Sequence, residues 1–175
     1  DLSHPPAVIP KMIGVLEEQR DVEVVVGSRY VDKGGFTGQW NQYRQWNSRI
    51  STILANLVIY DLGVQDPMSG YFCIRQEVYR RAAYIKPIGY KILLELLVKC
   101  ACSRVSEVPI TFRERVKGES KLNLREQMNY LNHLSRLIDF SHPQWSAALK
   151  YLIVNVLGIS LMILIWLSLP NSQGV

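Results

Sequence analysis

The chain has 175 residues, of which 48% are hydrophobic, enough for one medium domain with a core of its own. Its formal charge is only +5, because 15 acidic residues nearly balance 20 basic ones, and the dense basic stripe with interleaved aromatics of a nucleic-acid binder is missing. The small basic excess suits phosphate groups of a small substrate or an anionic membrane surface. Cys73, Cys100 and Cys102 form an odd set without metal-ligand spacing, so buried, reduced thiols are expected.

Pro5, Pro6 and Pro10 crowd the start of a helix that continues through Met12, Ile13 and Leu16 to Gln19. Residues 22–26, VEVVV, are β-branched and short, and predict a buried strand of a parallel α/β sheet that ends in a Gly27-Ser28-Arg29 turn. Gly34, Gly35 and Gly38 mark a loop, since no strand-to-helix fingerprint surrounds them. A long helix is predicted over 41–59, with Trp46, Ile50, Ile53, Leu54 and Leu57 on its apolar side. A turn at 66–70 precedes a strand at 71–74, helices at 77–83 and 89–97, and a second strand at 105–112.

Beyond Lys121 the pattern changes. Leu124, Met128, Leu131 and Ile138 lie on one helical face, widened by Leu134 and Leu137, with Arg125, Glu126, Asn129, Asn132, Arg136 and Asp139 on the rest. Such a helix either lies in a membrane interface or packs on the soluble part. Residues 151–169 then run for nineteen positions without a charge. At 1.5 Å per residue this covers ~28 Å, close to the hydrocarbon thickness of a bilayer, and predicts a transmembrane helix. Lys150 and Arg136 precede the apolar run, whereas 170–175 carry no Lys or Arg, so the soluble part is expected on the cytoplasmic face.

Several groups of residues suit phosphate chemistry. Arg44 and Ser48 are four apart on the long helix, so a guanidinium fork and a hydroxyl stand one above the other. Arg29 follows a strand, where ligands of parallel sheets gather, although a surface ion pair would look the same. Residues 112–122, FRERVKGESKL, place Arg113, Arg115, Lys117 and Lys121 around Gly118 and Ser120. A basic, glycine-containing loop after a strand can close over phosphates, and a solvated charge run has the same composition. Asp66 puts a carboxylate in the turn Asp66-Pro67-Met68-Ser69-Gly70, a common turn sequence.

The stretches DLSHPP at 1–6, VVVGSRY at 24–30, DPMSG at 66–70, GYKILLELL at 89–97 and EVPITFRERVKGESKL at 107–122 follow one another in this order. Together they resemble the later part of the polyprenol-phosphate (dolichol-phosphate) mannosyl synthases, inverting family 2 glycosyltransferases with a GT-A fold. The resemblance covers residues 1–125 and is most specific at 107–122. It implies an α/β chain holding part of a GT-A domain at 1–122, an amphipathic interface helix at 123–141 and one transmembrane helix at 148–169. It further implies a membrane enzyme that moves a hexose, mannose by preference, from a nucleotide sugar such as GDP-mannose to a polyprenyl phosphate with Mg2+ or Mn2+.

By the same resemblance Asp1 is the last carboxylate of an Asp-Ala-Asp-Leu metal motif, with Ser3 at a position where the family often has a metal-associated Gln. The other aspartate and the nucleotide-binding half are then expected ahead of Asp1, and further membrane spans past Val175. Arg29, Arg44, Ser48, Arg115 and Lys121 fall where the family holds donor or lipid phosphates, with Arg115 counted among the catalytic positions. Asp66 and Glu95 match acidic positions around the reaction centre. Rival readings are a glucose or amino-sugar transferase acting on the same lipid, and a non-catalytic subunit that binds lipid phosphate. A processive polysaccharide synthase fits less well, since Gln42-Tyr43-Arg44-Gln45-Trp46 breaks the Arg–Trp adjacency of its Gln-x-x-Arg-Trp motif.

Overall fold

The computed structural model of the protein describes residues 3–37, 42–56, 58–59, 63–82, 84–86, 88, 91–112 and 124–168, without the side chains of 42–45, 124 and 167. The chain forms two compact units, Asp1–Leu137 and Ile138–Val175. In the first, a 3-10 turn at Pro6–Val8 leads into α1 (Ile9–Glu18) and then β1 (Val24–Ser28). All five residues of β1 are buried, as expected of a β-branched strand covered on both faces. Met12 of α1 packs with Val22, Val25 and Val108 in the core beneath it.

The strand lies two residues further along than the sequence predicts, and takes in Gly27 and Ser28. The reason is steric. A Cβ on Gly27 would lie 2.7 Å from Cδ1 of Tyr71 and 3.2 Å from its carbonyl oxygen. Without one, the Gly27 N–H donates to the Tyr71 carbonyl at 2.8 Å and the two backbones stay paired.

The sheet is mixed, not purely parallel: β1 pairs in parallel with β4 (Val105–Pro109) and antiparallel with β3 (Phe72–Ile74). The segment before β3 is held at the carboxyl end of β1, where the Ser69 hydroxyl donates to the Gly27 carbonyl, so the chain enters β3 there and must run back along β1. A second, two-stranded parallel sheet pairs β2 (Gly35–Phe36) with β5 (Thr111–Phe112). The glycine loop therefore contains a short strand, and the single strand expected at 105–112 is divided at Ile110. There the Ile110 N–H donates to Ser28 of the large sheet, while its carbonyl accepts from Gly35 of the small one.

The helices are α2 (Gln42–Asn56), α3 (Gln76–Tyr79), α4 (Ile92–Lys99), α5 (Leu124–Ser141) and α6 (Pro143–Ser168). α3 stops at Tyr79, short of the 77–83 expected. α4 begins at Ile92 and buries Leu93, Leu94, Leu96 and Leu97. In α2 the expected apolar face is turned outward: Trp46, Ile50 and Ile53 are 68%, 50% and 62% exposed, while Ala55 is buried. Leu57 lies outside the described residues. In α5 the buried residues are Tyr130, His133, Leu134 and Leu137, whereas Met128 and Leu131 are exposed, so the buried side is offset from the apolar face that the periodicity marks.

In the second unit, residues Pro143–Trp166 of α6 are long and apolar enough to cross a membrane, with mean hydropathy 2.2 and no buried residue in the most apolar stretch. The helix starts ahead of the predicted 148–169 because Pro143 suits a first turn. Just before it, Asp139 accepts from Lys150 through both carboxylate oxygens, at 2.6 and 2.7 Å, and from the Ser146 hydroxyl.

Cys100 and Cys102 are buried free thiols and Cys73 is half-buried. Burial pushes the Cys102 thiol up to about 12, so it stays an inert core group. Residues 100–102 close α4 with a Schellman motif: Cys102 N–H bonds to Leu97 O and Ala101 N–H to Val98 O, with Ala101 at φ +48°. Glycine is the residue that holds this conformation without a Cβ penalty. Ala101→Gly is expected to raise stability by about 0.5–1 kcal/mol, part of the left-handed penalty being offset by the freer unfolded glycine. Urea unfolding of both proteins checks this; an unchanged or lower midpoint is the contrary result.

Candidate functional site

Arg29 leaves the carboxyl end of β1 and meets Asp66, which sits on the loop ahead of β3. The guanidinium is bidentate: Nε donates to Oδ2 and Nη2 to Oδ1, both at 2.7 Å, and the Arg29 backbone N–H adds a third bond to Oδ2 at 3.1 Å. The Asp66 side chain is fully buried and that of Arg29 is 13% exposed. Glu107 of β4 holds the loop from below, its Oε2 accepting from Gln65 N–H at 2.8 Å and its Oε1 from Asp66 N–H at 3.0 Å.

Three rings surround the guanidinium: Cζ of Arg29 lies 5.5, 5.6 and 5.8 Å from the ring centres of Tyr30, Phe36 and Phe112. This is the distance range of cation–π attraction, made stronger by partial desolvation. The small sheet explains the arrangement, since β2 and β5 bring Phe36 and Phe112 into register. Tyr30 also reaches α2, its hydroxyl 2.7 Å from the Ser48 hydroxyl. On the other side His4 stacks on Tyr71 at 5.0 Å and meets Phe112 edge-on at 5.1 Å, and the Tyr71 hydroxyl donates to Pro5 O at 2.9 Å. Ser3, buried at 2% exposure, thus enters the same neighbourhood through His4.

The structure therefore brings together Arg29, Asp66, Ser48 and the segment carrying Ser3. It also joins the first two: two nitrogens of the guanidinium fork and both oxygens of the carboxylate are committed to each other. Glu95 makes a different set of contacts. It is 1% exposed on α4, with Oε1 accepting from Lys86 N–H at 2.8 Å and Lys99 Nζ at 2.5 Å, and with His133 of α5 facing Oε2. Asp1, Arg115 and Lys121 lie outside the described residues, as does the side chain of Arg44, whose backbone belongs to α2.

Tyr30, Phe36, Phe112, Glu107 and His133 are absent from the sequence reading as site residues. Glu107 and Phe112 lie within or beside the most specific sequence stretch, and only strand pairing reveals what they hold. Among the described residues no three His, Cys, Asp or Glu side chains gather to hold a metal ion. Asp66 already accepts three hydrogen bonds from Arg29.

No protein-family model matches the sequence. Curated relatives do. A dolichol-phosphate mannosyltransferase of Pyrococcus furiosus is 39% identical over 160 residues, covering 91% of this chain and 44% of that protein. Proteins of the same name from Saccharomyces cerevisiae and Mycosarcoma maydis are each 34% identical over 80% of this chain, covering 53% and 47% of their own lengths. The chain is homologous to the dolichol-phosphate mannosyltransferases. It spans about half the length of the curated relatives it matches. The match to the Pyrococcus mannosyltransferase extends over 160 of the 175 residues, well beyond the stretches quoted for the resemblance.

A buried pair that loses one partner leaves an uncompensated charge, which costs about 3–5 kcal/mol. Asp66→Asn, which keeps the shape and removes the charge, is expected to lose stability on that scale in urea unfolding. Arg29→Lys, which keeps the charge but not the fork, should lose less. An Asp66→Asn protein as stable as the parent would refute the structural weight given to this pair.

Proposed function

We propose that the protein transfers a mannosyl group from a nucleotide sugar such as GDP-mannose to a polyprenyl phosphate at a membrane surface. Residues 1–122 then form part of a GT-A catalytic domain, 123–141 an interface helix and α6 a membrane span. The observation that carries this reading is the Arg29–Asp66 pair at the carboxyl end of β1, walled by three rings and joined through Tyr30 to Ser48, in a chain homologous to mannosyltransferases of that name.

In the reaction an oxygen of the acceptor phosphate bonds to the anomeric carbon while the bond to the nucleotide diphosphate breaks, with inversion. The acceptor is already anionic at neutral pH, so no group need remove its proton. Asp66, whose oxygens take three donors from Arg29, fits this as the residue that aims the guanidinium. Arg44 and Ser48 on α2, with Arg115 and Lys121 further along the sequence, supply further donors to phosphate oxygens. A divalent cation, Mg2+ or Mn2+, held through Asp1 and the neighbourhood of Ser3, would supply charge stabilisation for the leaving diphosphate.

Membrane association has two supports in the chain itself. α6 can span a bilayer by length and composition. α2 exposes Trp46, Ile50 and Ile53 along one side, has no acidic residue and carries Arg44 and Arg49, a pattern suited to an interfacial position. Arg136 ahead of α6 and Lys150 near its start favour a cytoplasmic catalytic unit.

The full-length protein, given GDP-mannose, Mg2+ or Mn2+ and dolichyl phosphate, should form lipid-linked mannose. Arg44→Ala or Arg115→Ala should lower turnover about tenfold or more, the loss expected of one guanidinium–phosphate contact, and Lys should rescue only in part. Lipid-phosphate binding without sugar transfer would instead mark a non-catalytic subunit, and transfer from a glucose or amino-sugar donor would correct the sugar.

Orientation has its own test. In sealed, right-side-out membranes, protease should spare residues 1–140 until detergent is added; cleavage at 113–121 without detergent would place the catalytic unit on the other face.

A further inference from the structure

α5 touches two other helices from adjoining turns. Tyr130 donates its hydroxyl to the Ser51 carbonyl of α2 at 2.5 Å. His133, three residues on, points Nε2 at Oε2 of Glu95 on α4 from 3.8 Å. Lys91, immediately ahead of α4, places Nζ 3.3 Å from the centre of the Tyr130 ring. The whole group lies inside the first unit, with Tyr130, His133 and Glu95 at 6%, 2% and 1% exposure.

Three polar atoms in this place have no hydrogen-bond partner: both ring nitrogens of His133 and Oε2 of Glu95. Buried polar atoms left so pay their desolvation in full, and native interiors rarely tolerate three together. Oε1 of Glu95 is already taken by Lys86 N–H and Lys99 Nζ. The facing atoms can satisfy each other: an imidazole with its proton on Nε2 needs an approach of only ~1 Å to donate an ordinary N–H···O bond to Oε2.

We propose that Glu95 and His133 are positioning residues: hydrogen-bonded across α4 and α5, they hold α5 so that Tyr130 fixes α2, and α2 in turn keeps Ser48 against Tyr30 beside Arg29. The role of that site in binding lipid phosphate rests on the function proposed above; the tie between the helices does not. Glu95 thereby acts through structure, not by touching substrate.

The surroundings match a neutral donor. Burial holds His133 below the usual histidine range; Lys99 and Lys91 from the α4 side and Arg136 on α5 push the same way, and Glu95 alone opposes them. Lys91 is likewise lowered, to about 8, by burial.

The test uses the full-length protein in lipid nanodiscs with His133→Leu, His133→Gln, whose amide can still donate to Glu95, and Tyr130→Phe, which removes only the bond to Ser51. Backbone hydrogen exchange at 48–56 should quicken about tenfold in His133→Leu and in Tyr130→Phe and return toward the parent rate in His133→Gln. In the same two variants the KM for polyprenyl phosphate should rise severalfold while that for the nucleotide sugar stays put.

Unchanged exchange at 48–56 in His133→Leu or in Tyr130→Phe overturns the proposal, and so does faster exchange with both KM values unchanged. A parent protein without transferase activity would refute the proposed function instead, and the exchange measurement would then decide the tie between the helices by itself.

Discussion

A buried carboxylate must be paired, and in this protein that requirement organises one end of the sheet. Asp66 is fully buried and Arg29 is its counter-ion, so the loop ahead of β3 must lie across the carboxyl end of β1. Satisfying the remaining polar groups of that loop then recruits Glu107 from β4 and the Ser69 hydroxyl over Gly27. The course of β3 away from this end of β1 follows from that placement. A buried ion pair is weak evidence for net stability, since desolvation offsets most of its attraction. Its value here is geometric: it sets the position of one guanidinium to within the tolerance of a hydrogen bond.

The small sheet gains its meaning from the same constraint. Two residues on each strand contribute little stability, but they place Phe36 and Phe112 beside the guanidinium, with Tyr30 completing the wall. An arginine in such a setting is partly dried and rigidly aimed, which strengthens its interaction with anionic oxygens relative to one in open water. The Tyr30–Ser48 contact extends this ordered patch to α2, the helix whose apolar side chains face outward. α2 thus has an ordered hydroxyl contact at Ser48 while Trp46, Ile50 and Ile53 stay exposed.

α5 shows a different balance. Its inward face contains Tyr130 and His133 alongside Leu134 and Leu137, so the helix is held by the Tyr130–Ser51 hydrogen bond as well as by apolar burial. Polar groups in such places discriminate among packings that a purely apolar face would accept. Met128 and Leu131 remain outside, and the helix thereby presents apolar side chains on two sides.

Much of this was legible in the sequence, and for identifiable reasons. The buried β1, the apolar α6, the burial of Cys100 and Cys102 and the presence of α4 each depend on local composition and periodicity. So does the placing of Arg29 at a strand end. The resemblance carried by the quoted stretches pointed to the same relatives that the alignments found. What the sequence could not decide is who pairs with whom. Asp66 reads as a turn residue until Arg29, thirty-seven positions away, closes on it. Glu107 reads as one polar residue in a strand until the loop N–H groups reach it. The outward side of α2 and the inward side of α5 are not set by the sequence, for a common reason: periodicity shows that a helix has an apolar side, but only the neighbouring elements determine which side is covered. Long-range pairing of buried charges and the choice of helix face are properties of the tertiary structure, because each depends on groups that chain distance does not bring together.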